Sequence, residues 1–104
     1  MPDVYKTIQG NLPAAQTSLY TAPAGNGVII KHMIFNNYSA GTVSFSIWKG
    51  GTANANLIVN AISLLAGEAY EIDDTETLAA AAQLYGIAGG ATSISYEISV
   101  DETS

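Results

Sequence analysis

The sequence has no cysteine and no arginine; its only basic side chains are Lys6, Lys31, Lys49 and His32. The missing cysteines exclude disulfides, thiolate catalysis and zinc–thiolate sites together, and fit a chain made in a reducing cytoplasm. Three lysines against nine acids give a net charge of −6. A chain that neutralises phosphates needs a basic patch, so direct nucleic-acid binding is excluded, and so is attraction to an anionic membrane surface. No apolar run reaches the length of a membrane span, and no charged-then-apolar leader opens the chain, so neither insertion nor Sec targeting is expected. Charge of either sign is scarce: 12% of residues, about half the usual share of roughly 25%.

Ser, Thr, Asn, Ala and Gly occupy the positions that charge vacates. A surface of small polar residues suits a protein packed against copies of itself or other subunits. With 48% hydrophobic residues in 104, the chain reads as one domain over 1–104 with a single modest core.

The pattern is β throughout. Val4–Gln9 and Gln16–Thr21 read as short strands, separated by Gly10-Asn11 and Pro13. The turn Pro23-Ala24-Gly25-Asn26-Gly27 feeds a long strand, Val28–Phe35. That strand is apolar at both parities except at Lys31 and His32, which predicts cover on both faces. Thr42–Lys49 alternates, with Val43, Phe45 and Ile47 on one face and Ser44, Ser46 and Trp48 on the other. Strands 28–35 and 42–49 are predicted to form an antiparallel hairpin. Leu57–Val59, Ile62–Leu65 and Ala69–Ile72 continue the β structure, and Ile94, Tyr96, Ile98 and Val100 form the buried side of a last strand. Residues 1–12 are a possible extended arm able to complete a neighbour's sheet, and 101–104 a polar tail. The whole is an all-β, antiparallel sandwich or jelly roll of about eight strands.

Asp73–Gly86 has two readings. Acids in the first turn, four alanines and Gly86 at the end suit a helix. A turn at 79–82 between two strand pieces suits the rest of the chain, and periodicity does not decide between them.

Nothing in the sequence assembles a catalytic or cofactor site. His32 has no second histidine or cysteine for a metal site or a nucleophilic triad. Glu68, Glu71, Asp73, Asp74 and Glu76 place five of nine acids within nine residues, but without calcium-loop spacing they read as a solvated turn. The glycine-rich pieces lack the Lys-Ser/Thr of a phosphate loop. No cofactor, metal or enzymatic activity is expected. Trp48 has three readings: an interface anchor, a sugar-stacking platform with Tyr38 and Tyr20 or Tyr70, or a cover on the open end of the sandwich.

The order of segments LYTAPAG–VIIKHMIFNN (Leu19–Asn37), LLAGEAYEI (Leu64–Ile72) and ETLAAAAQLYGIAGGATSISYEIS (Glu76–Ser99) resembles small bacteriophage virion proteins of β-sandwich fold. The resemblance covers nearly the whole chain and favours the strand reading of 76–88, although Ala80-Ala81-Ala82 stands where such proteins usually carry a glycine and an acid. It implies a capsid decoration (cement) protein, made in the bacterial cytoplasm, that binds the assembled head as a homo-oligomer, with a trimer favoured and the major capsid protein as partner. Tyr5, Ile8, Lys31, His32, Tyr38 and Trp48 are then the candidate interface residues. A tail, adaptor or head-fibre component is the neighbouring alternative, and a carbohydrate-binding module the alternative of a different class.

Overall fold

The computed structural model describes residues 4–102 except Asn26, Asp74 and Ala91. It has nine strands among the described residues: β1 (Val4–Asn11), β2 (Thr17–Thr21), β3 (Val28–Asn37), β4 (Val43–Lys49), β5 (Leu57–Leu64), β6 (Ala69–Ile72), β7 (Glu76–Leu78), β8 (Gln83–Ala88) and β9 (Ile94–Glu102). They form two antiparallel sheets. The five-stranded sheet runs β1-β9-β3-β6, with β7 beside β6 on the same flank of β3; the four-stranded sheet runs β2-β8-β4-β5. This is the all-β sandwich expected; Leu57–Val59 and Ile62–Leu65, read as separate pieces, form one strand, β5, which ends at Leu64, and Glu76–Leu78 pairs with β3.

The expected hairpin between 28–35 and 42–49 does not form. Both flanks of β3 are taken, by β9 on one side and β6 and β7 on the other, and β4 lies in the opposite sheet between β5 and β8. The crossing packs Phe35 against Phe45 across the core, ring centroids 4.7 Å apart with the planes tilted by 35°, and Tyr70 stands edge-on to Phe45 at 5.9 Å. Adjacent strands of one sheet could not interlock these rings between layers.

Asn37 pins the crossing. It is fully buried, and its amide donates to the carbonyls of Gly41 and Leu64, at 2.8 and 2.9 Å. Its side-chain oxygen accepts from the Ser39 backbone N–H and hydroxyl. A buried amide so satisfied ties the end of β3 to the end of β5, one from each sheet.

A bulge accounts for the apolar residues at both parities of β3, from which cover on both faces was expected. The register with β9 slips between Ile30 and His32, so the inward set changes parity: Val28 and Ile30 before it, Met33 and Phe35 after it, each at most 3% exposed. Lys31 is the extra, exposed residue. Apolar residues of both parities therefore point inward, while the other face is only partly covered.

The 76–88 segment is strand, turn, strand. The turn closes by Ala82 N–H to Ala79 C=O at 3.0 Å, with Ala81 left-handed at φ 63°. Ala22 N–H donates to Ala82 C=O and Ala81 N–H to Pro23 C=O. These tertiary partners take the backbone groups a helix would use internally, so local propensity is overridden. Gly86 is mid-strand rather than a helix cap: a Cβ there would come within 2.8 Å of Leu19 and 2.9 Å of Leu12.

Of residues 1–12, expected as a possible arm, 4–11 pair along their length with β9 of the same chain, and 1–3 lie outside the described residues. β9 continues through the buried Asp101 to Glu102, both placed in the polar tail by the sequence. Residues 103–104 lie outside the described residues.

Candidate interaction surface

The two outer faces of the sandwich differ in charge. The strands of the five-stranded sheet carry Lys6, Lys31, His32, Glu71, Glu76, Glu97, Asp101 and Glu102. The four strands of the other sheet carry one charged residue, Lys49. Its ammonium is turned to Glu76 Oε1 on β7, 2.7 Å away. The outer face of β2-β8-β4-β5 is therefore free of charge.

Alternation places Ser44, Ser46 and Trp48 of β4 on this face, since Phe45 and Ile47 are buried inward. Register puts Ser63 opposite Ser44, Ile87 opposite Ser46, and Leu57 and Tyr85 on either side of Trp48. The result is a cross-strand row, Leu57-Trp48-Tyr85, rimmed by small hydroxyl side chains. A shallow depression of about 160 Å³ lies beside it, lined by Ser44, Ser46, Ala61 and Ile87 among others. Ser46 Oγ accepts the Ala61 N–H at 2.8 Å, which holds the β5 bulge where Ala61 takes φ 49°. Trp48 is partly exposed, but its Nε1 is buried and has no hydrogen-bond partner among the described residues. The surface it offers is thus carbon, not the indole N–H.

The other candidates are scattered. Tyr5, 70% exposed, and His32 lie on the outer face of the five-stranded sheet, and exposed Lys31 sits at its bulge. Tyr38, 49% exposed, sits at the end of β3 and donates to Asn11 Oδ1 at 2.8 Å. Ile8 packs inward against the core. Trp48 is on the opposite sheet from Tyr5 and His32, so the structure does not gather these residues into one site. Nor does it build the aromatic platform: Tyr70 is packed on Phe45, and Tyr20 reaches Glu102 with its hydroxyl. Tyr85, which flanks Trp48, was not singled out from sequence; its alternation with Leu84 and Gly86 was the available signal.

The polar clusters are structural. His32 Nε2 is 2.8 Å from Glu71 Oε2 and 3.9 Å from Asp73 Oδ1, and no group of three potential metal ligands occurs among the described residues. Asp74 of the acidic cluster lies outside them. Glu102 accepts the Tyr20 hydroxyl and pairs with Lys6 at 3.0 Å, closing one side of the sandwich. The Tyr20 hydrogen bond, helped by Lys6, holds the Glu102 carboxyl below its ordinary range against the effect of burial. Burial, then the hydrogen bond and charge of Glu102, push the Tyr20 phenol up. A cleft of about 380 Å³ at Val28, Ile29, Thr77 and Leu78 has no titratable side chain in its lining. No helix among the described residues is long and apolar enough to cross a membrane.

No protein-family model and no curated protein matches the sequence. Solved structures share the fold. A chain from the acidic stable capsid structure of Helicobacter pylori bacteriophage KHP30 matches with a TM-score of 0.63 at 10% identity, covering 97% of this chain and 87% of that one. A chain from the Bacillus endospore appendages, a family of disulfide-linked pili, matches with a TM-score of 0.50 at 12% identity, covering 98% and 87%. At these identities the likeness is one of fold.

Proposed function

We propose that this chain is a non-catalytic virion structural protein, a capsid decoration protein that docks on the assembled phage head through the outer face of β2-β8-β4-β5 and stabilises it as a homo-oligomer. The observation that carries this reading is the charge asymmetry of the two faces. In a chain of net charge −6, an entire outer sheet face without charge suits desolvation against a partner, because no ion has to lose its water there. The row Leu57-Trp48-Tyr85 supplies the aromatic anchor that such interfaces favour. The fold shared with a chain of a phage capsid structure and the segment resemblance support the same assignment. The pilus likeness supports assembly too, but a chain without cysteine has no means of disulfide linkage.

Each subunit needs only a modest contact, since an array of subunits multiplies weak contacts. The protein would clamp neighbouring shell subunits and resist outward pressure. The test is to add purified protein to phage heads that lack it. Saturable binding, at a copy number that scales with shell area, is the expected result. A copy number fixed by a single vertex would instead assign it to the tail or a fibre, and monomers that bind glycans but not heads would overturn the reading.

A further inference from the structure

The two sheets have four edges, and three are defended against pairing with another strand. β5 carries two register shifts and the left-handed Ala61. β2 is five residues long and is broken by a shift between Ser18 and Tyr20. The β6–β7 flank is divided between two short strands, one ending at Ile72 and one beginning at Glu76, and bears Glu71 and Glu76. Bulges, short strands, interruptions and charges are the devices that keep edges from joining.

β1 has no bulge and no interruption, and of these devices it carries a single charge. Its eight residues, VYKTIQGN, contain no proline and pair with β9 in unbroken register. Its one charge, Lys6, is held by Glu102 at 3.0 Å. No acid lies on β1, so two copies can approach along this edge without opposing carboxylates, although the chain is strongly acidic elsewhere.

We infer that β1 pairs antiparallel with β1 of a second copy, continuing the five-stranded sheet across a two-fold axis. Side chains alternate, so in-sheet pairing sets positions of like parity opposite one another. Tyr5, Thr7 and Gln9 of both copies then share one outer face. The contact is isologous, and the closed assembly is a dimer. A trimer built through this edge would need β1 to join a different edge, and each of those is bulged or divided. The charge-free face of β2-β8-β4-β5 belongs to the other sheet and stays open, so self-pairing and head docking use separate surfaces. The inference stands independently of head binding.

The absence of cysteine makes the test direct. Single cysteines are placed in turn from Tyr5 to Gln9, with Ser18→Cys on β2 and Asn60→Cys on β5 as controls. Each is oxidised with copper phenanthroline, and the wild type is sized by analytical ultracentrifugation. The expected result is a concentration-dependent dimer and rapid crosslinking that peaks at one β1 position, since opposed strand residues match disulfide geometry. A monomer or trimer by mass, or β1 crosslinking no faster than the controls, would overturn the inference whatever the protein does on heads.

Discussion

Asn37→Ala probes the crossing on which the sandwich depends. The side chain makes four hydrogen bonds, two donated to Gly41 and Leu64 and two accepted from Ser39, and it is fully buried. Typical net contributions are about 1 kcal/mol each, and the Leu64 carbonyl left unpaired in a buried setting costs about 1–3 kcal/mol. Some loop groups recover water, since Gly41 is exposed, so a loss of about 3 kcal/mol is expected. That is a large part of a total stability of roughly 5–15 kcal/mol, and it corresponds to a Tm drop on the order of 15 °C for a domain of this size. Urea denaturation with unchanged m-value measures it, and Ser39→Ala, which removes only the hydroxyl bonds, should lose about 1 kcal/mol. A loss below about 1 kcal/mol for Asn37→Ala would mean that the amide does not hold the two sheets together.

Other substitutions test other joints. Gly86→Ala puts a methyl group against Leu19, Leu12 and Ile47 and should destabilise by about 1–3 kcal/mol in denaturant melts. Ala81→Gly relieves a left-handed alanine and should be neutral or stabilising by up to about 1 kcal/mol, whereas a helix here would lose about that amount. Glu102 has a lowered pKa in the fold, so its contribution is present above the unfolded carboxyl pKa and is lost as pH falls through the folded value. Glu102→Gln should therefore be less stable than wild type near neutrality, with the gap closing on the acid side in pH-resolved melts.

Much of the fold was legible because alternation survives in β4 and β9, where one face is buried and the other half-exposed. The two misreadings, of the cover on β3 and of the β3–β4 hairpin, have different causes. Strand β3 looks apolar at both parities because the bulge at Lys31 switches the inward set, and a period-two reading has no term for an inserted residue. The β3–β4 hairpin was inferred from nearness in sequence, while the Phe35–Phe45 contact favours crossing to the other sheet. At 79–82 four alanines point to helix, and only the distant carbonyl of Pro23 and N–H of Ala22 redirect them. For the surface, Trp48 was visible as a candidate, but its companions were not. Tyr85 joins it through register with β8, far along the chain, and Leu57 through register with β5, the next strand; the freedom of that outer face from charge becomes visible only when the strands are sorted into their two layers.

The claim that the charge-free face is the docking surface is tested most directly by placing a charge on it. Ser63→Glu adds a carboxylate at an exposed position opposite Ser44 and should leave the thermal melt nearly unchanged. In co-sedimentation with heads that lack the protein, the account predicts that Ser63→Glu and Trp48→Ala both lose binding at least tenfold, while Thr77→Glu, at an exposed position of β7 on the other sheet, binds as wild type does. Wild-type binding by Ser63→Glu, with loss of binding by Thr77→Glu, would contradict it.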